Sequence, residues 1–144
     1  FCDCSSLEVI TFSPSCSLIY FGDSLFSGCS SLKEIKIPST ITEIGMNCFE
    51  NCSSLKIIDI PESVALIGQQ AFYGCSSLKE ITIPISVNEI MDNTFGKCSN
   101  MEKINILNKE VEIGFKVFDD CSALKNISLP NSTTEIFDYT FNWM

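Results

Sequence analysis

The chain has 144 residues, 45% hydrophobic and 19% charged, which is enough to bury a continuous core and argues against disorder. Eighteen acids stand against nine lysines, with no arginine and no histidine, for a formal charge of −9. Nucleic-acid binding, which needs a cationic stripe, is excluded, adsorption to an anionic membrane is disfavoured, and the commonest general base and zinc ligand are missing. No apolar run approaches the roughly 20 residues that a membrane-spanning helix needs, so no membrane insertion is expected of this segment.

From the first residue the chain is a repeat. Phe recurs at Phe26, Phe49, Phe72, Phe95, Phe118 and Phe141, always 23 apart, and Phe1 precedes Phe26 by 25. Three places after each Phe comes Cys, at Cys4, Cys29, Cys52, Cys75, Cys98 and Cys121; three further on comes Leu7, Leu32, Leu55, Leu78, Met101 or Leu124. A period of three suits a short 3₁₀ or α-helical turn with one face inward. Next come alternating pairs such as Ile35 and Ile37, Ile58 and Ile60, or Ile81 and Ile83, and a period of two reads as a short strand with two side chains in the core. Pro38, Pro61, Pro84 and Pro130 end these pairs, because Pro cannot donate to a ladder. Ile44, Ile67, Ile90, Ile113 and Ile136 close each repeat, and Gly45, Gly68 and Gly114 mark a corner expected to need positive φ. One turn cannot bury its inward row alone, whereas stacked turns can, with strands pairing at ~4.8 Å.

The pattern Phe-x-x-Cys-Ser-x-Leu-x-x-Ile-x-Ile-Pro, most complete over 26–38, 49–61 and 72–84, resembles the BspA-like class of leucine-rich repeats. The resemblance covers nearly the whole chain. It implies an α/β-type solenoid: a right-handed stack of about six turns over 1–144, with short parallel strands on the concave face and short helical or 3₁₀ turns on the convex face. The chain opens on Phe1 within a repeat and reads as part of a longer protein. Members of the class are surface adhesins or antigens of mucosal bacteria and protists that bind host matrix proteins or cells. The resemblance thus implies a protein or glycoprotein partner and a cell-surface or secreted location, the alternative being a cytoplasmic scaffold. It brings no catalytic motif and no cofactor. The fifth repeat departs from the pattern, with Leu107 in place of Pro and Glu110 where Ile41, Val64 and Val87 stand.

The remaining features each have a plain reading. Six of nine cysteines occupy one inward column, so they read as a ladder of buried thiols, and Cys48, in the column of Ala71, as a seventh small core residue. The pairs Cys2 and Cys4, or Cys48 and Cys52, have near-ligand spacing, but no His completes a zinc set, and no metal is expected. Lys33, Lys56, Lys79 and Lys125 share one column and Glu43, Glu89, Glu112 and Glu135 another; both read as solvated rows that keep the chain soluble. Calcium at the Glu row would need a Gly-Asp-rich turn that the repeat lacks. Asn51, Asn126 and Asn131 sit in Asn-x-Ser/Thr sequons. No nucleophile has a histidine to activate it, so no enzymatic activity is expected.

The outward strand positions vary while the inward ones hardly change. One column reads Val9, Glu34, Ile57, Glu80, Lys103 and Asn126; the next reads Thr11, Lys36, Asp59, Thr82, Asn105 and Ser128. Variable side chains on a constant scaffold make the concave face the candidate binding surface, at Glu34, Lys36, Ile57, Asp59, Glu80, Thr82, Lys103 and Asn105. The two apolar ends of the stack make end-to-end self-association a further expectation.

Overall fold

The computed structural model describes residues 1–127 and Thr140; Pro130, Asn131, Glu135, Ile136 and Phe141, and with them the last turn, lie outside the described residues. Each turn carries two short strands where the sequence led us to expect one. The first series is β1 (Val9–Ile10), β3 (Glu34–Lys36), β5 (Ile57–Asp59), β7 (Glu80–Ile83), β9 (Lys103–Ile106) and β11 (Asn126–Ile127); the second is β2 (Tyr20–Phe21), β4 (Glu43–Ile44), β6 (Leu66–Ile67), β8 (Glu89–Ile90) and β10 (Glu112–Ile113). Every pairing is parallel and in register, Glu34 opposite Ile57 and Glu43 opposite Leu66, for example. The second series forms one five-stranded sheet, whereas the first is split into β1-β3-β5 and β7-β9-β11. The second strand escaped the sequence reading because only two residues of each repeat pair there, too few to show a period.

Between the second strand of one turn and the first strand of the next runs an arc centred on the repeat's Phe. Helical or 3₁₀ turns were expected there, and the structure corrects this: no helix occurs among the described residues. Isolated three-residue closures such as Cys52 N–H to the Phe49 carbonyl (3.1 Å) and Leu55 N–H to the Cys52 carbonyl (3.0 Å) do occur. A helix cannot propagate because left-handed residues stand two places before and two places after Phe. Around Phe49 these are Asn47 (φ 55°) and Asn51 (φ 56°); around Phe72 they are Gln70 (φ 56°) and Gly74 (φ 72°). This alternation turns backbone N–H groups along the stack. Asn47, Phe49 and Asn51 donate to the Gln69, Ala71 and Tyr73 carbonyls of the following turn, at 3.0, 2.8 and 2.7 Å. The arc is thus a third hydrogen-bonded ladder.

The corner glycines also differ from expectation. Gly45, Gly68 and Gly114 are not among the positive-φ residues; they are needed because the preceding turn comes close. A Cβ on Gly68 would stand 2.6 Å from Met46 N and 2.7 Å from the Gly45 carbonyl carbon, both backbone atoms that cannot yield.

The core sits inside the three ladders. Phe26, Phe49, Phe72, Phe95 and Phe118 are fully buried and stack nearly parallel, with successive ring centroids 5.2, 5.4, 5.6 and 6.1 Å apart. Leu32, Leu55, Leu78 and Met101 form the neighbouring column, with Ile35, Ile58, Ile81 and Ile104 beyond it, all buried.

All nine cysteines are free and six are buried, five of the ladder column and Cys48; Cys4, expected with the buried ladder, instead lies exposed on the first turn, as does Cys2. The ladder thiols are more than filler. Cys29, Cys52, Cys75, Cys98 and Cys121 donate through Sγ to the carbonyls of Phe1, Phe26, Phe49, Phe72 and Phe95 in the preceding turn, at 3.1–3.2 Å. Burial pushes the Cys52 and Cys121 thiols up to about 12, and Cys75 and Cys98 rise well above the ordinary range for the same reason.

Candidate functional site

The three ladders differ in what they present outward. On the first sheet, alternation buries one residue and exposes the next, so β3 shows Glu34 and Lys36, β5 Ile57 and Asp59, and β7 Glu80 and Thr82. In β9 Lys103 is exposed and Asn105 half-buried. All eight residues singled out from the sequence therefore lie on one face. Register makes neighbours of Glu34 and Ile57, Lys36 and Asp59, Glu80 and Lys103, and Thr82 and Asn105. It does not join Ile57 to Glu80 or Asp59 to Thr82, because the sheet is interrupted between β5 and β7.

That interruption is a seam through one side of the stack. Lys56 N–H bonds the Lys33 carbonyl (3.1 Å) and Glu102 N–H the Lys79 carbonyl (2.7 Å), but no such bond joins Lys79 to Lys56. In the second sheet β6 and β8 share a single pair, Ile67 with Ile90. Ala65 N–H donates to the Thr42 carbonyl of the turn before it at 2.9 Å, whereas among the described residues its counterpart Asn88 makes no such bond. The arc is unbroken across the same two turns, with Phe49 and Phe72 stacked at 5.4 Å and 3°. The turns are closed on the arc, hold one ladder pair in the second sheet and stay neighbours without a ladder pair between β5 and β7 in the first.

A shallow depression of about 770 Å³ lies over the seam, with Lys56 and Ile57 on one side and Lys79 and Glu80 on the other, and it runs on to Lys103 and Lys125. Ile57, 64% exposed, is its apolar element. The lysines beside the strand column had seemed a uniform solvated row, but the structure differentiates them. Lys33 pairs with Glu8 and Lys125 with Glu102, each at 2.7 Å. The hydrogen bond and charge of Lys33 hold the Glu8 carboxyl below its usual range, and Lys125 does the same to Glu102. Among the described residues, Lys56 and Lys79, which flank the seam, make no ion pair. The signal was present in the sequence, since Glu8 and Glu102 occupy the same column as these lysines, but the pairing depends on the stack.

Charge is unevenly distributed. Six of the nine lysines (33, 36, 56, 79, 103 and 125) and five of the 18 acids (8, 34, 59, 80 and 102) belong to the first-sheet face, a net +1 on a chain of −9. The second sheet carries Glu43, Glu89 and Glu112 with no lysine among its strands. On the arc Lys97 lies over the Tyr73 ring, 5.5 Å from its centroid.

A stack of in-register parallel strands with one inward residue type per column is a parallel-strand solenoid. The profile of the BspA type leucine-rich repeat region matches in six copies over residues 1–121 and 42–144, and the chain belongs to that family. Such repeats generally serve as protein-interaction scaffolds and not as enzymes. Among solved structures the chain is similar to a leucine-rich repeat protein of T. pallidum, at 31% identity and a TM-score of 0.80 over 85% of this chain and 56% of that one. It is also similar to a leucine-rich cell surface protein of Faecalibacterium prausnitzii, at 25% identity and a TM-score of 0.55 over 90% of this chain and 48% of that one. The chain thus spans about half the length of these relatives. No curated protein matches at a significant level.

Proposed function

We propose that this chain is a cell-surface interaction module that holds a protein or glycoprotein partner on the outer face of its first sheet. The observation that carries the reading is the contrast between the two sides of the same strands. Ile35, Ile58, Ile81 and Ile104 are buried and identical, while Glu34, Ile57, Glu80 and Lys103 beside them range over acid, apolar and base. Ile57 gives an exposed apolar anchor, with Glu34 beside it in register and Lys36 and Asp59 on the adjoining column. An apolar centre within a polar rim is the usual composition of a binding hot spot, and side chains on a hydrogen-bonded sheet lose little freedom when a partner arrives. The surface location is supported by the family and by the cell-surface relative from F. prausnitzii.

The test is adhesion of beads coated with this domain to a panel of immobilised host matrix proteins. Replacing Ile57→Asp together with Asp59→Lys should reduce binding by an order of magnitude or more with the melting temperature unchanged, since both positions are exposed. Tyr73→Ala with Lys97→Ala, on the arc, should leave binding intact. The opposite result would move the surface to the arc.

A further inference from the structure

Resting on that reading of the face, we infer that its preferred occupant is an acidic peptide segment, with a carboxylate set between Lys56 and Lys79 and an apolar side chain laid on Ile57. Three observations converge on the depression over the seam. The first is chemical. Four of the six lysines in the Glu8-to-Lys125 column and its neighbours line it, and among the described residues Lys56 at one end of it and Lys79 one turn further in make no ion pair, whereas Lys33 and Lys125 in the same column are already satisfied. Lys79 also stands in the field of Glu102, but the Glu102 carboxylate is bonded to Lys125. The second is geometric. Lys56 and Lys79 project from equivalent positions one turn apart, on the order of 5 Å at strand spacing, so a single carboxylate can accept from both ammonium groups. The third is the context. The chain carries −9 overall while this face is net +1, so an anionic segment is repelled by most of the surface and admitted here.

The same face argues against a long polyanion. Glu34, Asp59 and Glu80 flank the two lysines, so a sulfated polysaccharide or a nucleic acid crossing the sheet would set its regularly spaced charges against them. A peptide can alternate carboxylate, apolar and neutral side chains, and so match Lys56 and Lys79 on one side and Ile57 on the other.

The experiment uses short fluorescein-labelled peptides identical except at their centre, which reads Glu-Leu-Glu, Gln-Leu-Gln or Lys-Leu-Lys, together with a sulfated oligosaccharide. Binding is followed by anisotropy at low and high salt. The acidic peptide should bind about tenfold more tightly than the amide peptide, and salt should erase the difference. Lys56→Gln with Lys79→Gln should bring the acidic peptide down to the amide level, while Lys97→Gln on the arc should change nothing. Equal binding of the acidic and amide peptides, survival of acidic binding in the double variant, or tighter binding of the oligosaccharide through the same two lysines would each overturn the inference. In those cases loss of all peptide binding in Ile57→Asp would leave the face itself standing. Failure of every peptide to bind, with matrix adhesion indifferent to Ile57 and Asp59, would remove both.

Discussion

The ladder cysteine is the residue in which composition and structure are most closely linked. A small apolar side chain is needed three places after Phe, and Ala would fill that role. Cys adds a weak donor that reaches the previous turn's Phe carbonyl, an oxygen that already accepts the N–H of its own turn's Cys. Because the thiols are desolvated, their folded-state acidity is depressed, which ties stability to alkaline pH. An unfolded thiol loses its proton from about pH 8.5–9 upward, while Cys52 and Cys121 keep theirs to about 12. The unfolded state therefore binds fewer protons across that window, and stability, complete below it, falls as pH rises through it. The decline approaches ~1.4 kcal/mol per pH unit for each such thiol. Urea unfolding midpoints should drop steeply above pH 9, and Cys75→Ala should lose less than the parent over the same interval. Parallel pH profiles would show that Cys75 does not share in the effect.

At the scale of the element, the corner before the second strand shows how the repeat tolerates a substitution that breaks its pattern. In three successive turns a hydroxyl ties this corner to the turn before: Thr40 Oγ1 donates to the Leu18 carbonyl at 2.5 Å, and Ser63 and Ser86 Oγ donate to the Ile41 and Val64 carbonyls at 2.6 Å. The fifth repeat has Lys109 in the serine column, and the task passes to Asn108. Its Nδ2 donates to the Val87 carbonyl at 2.8 Å, and its Oδ1 accepts from Glu110 N–H at 2.9 Å. Glu110, at the position of Val87, turns outward, and Val111 is buried in its stead. Asn108 is buried, so Asn108→Ala leaves the Val87 carbonyl and Glu110 N–H without those partners and should cost about 1–3 kcal/mol in chemical denaturation. A loss of only a few tenths would mean that water repairs the corner.

At the scale of the whole molecule, stability depends on nearest-neighbour interfaces, and those interfaces are unequal. The turns carrying Phe49 and Phe72 are joined by the arc and its stacked rings but share no ladder pair at the first sheet and only one at the second. Amide exchange should reveal this. Lys79 and Asn88, whose N–H groups lack the bond made by Lys56 and Ala65 one turn earlier, should exchange at least about tenfold faster than those counterparts. Equal protection on the two sides would mean that the seam is closed in solution. An open seam also bears on function, since it places Lys56, Ile57 and Lys79 around one depression and not along a flat sheet.

The sequence by itself determined the columns. With one residue type per inward position every 23 residues, Phe72, Cys75, Leu78 and Ile81 had to lie over their counterparts one turn away, because no other register buries them all. The outward set at Glu34, Lys36, Ile57 and Asp59 followed from the same alternation. What only the tertiary structure decided was anything that depends on the turn before or after. The left-handed pair around each Phe replaces a helix because the N–H groups of Asn47 and Asn51 find carbonyls in the next turn, not within their own. Gly68 is glycine because Met46 N lies against it, which no local φ preference reveals. Lys33 is paired by Glu8 stacked beside it, Lys56 has no acid beside it in the column, and Lys79 shares its neighbour Glu102 with Lys125, which takes the bond. A repeat period states which residues are equivalent; the contacts between turns, where equivalent residues meet unlike neighbours, make them differ.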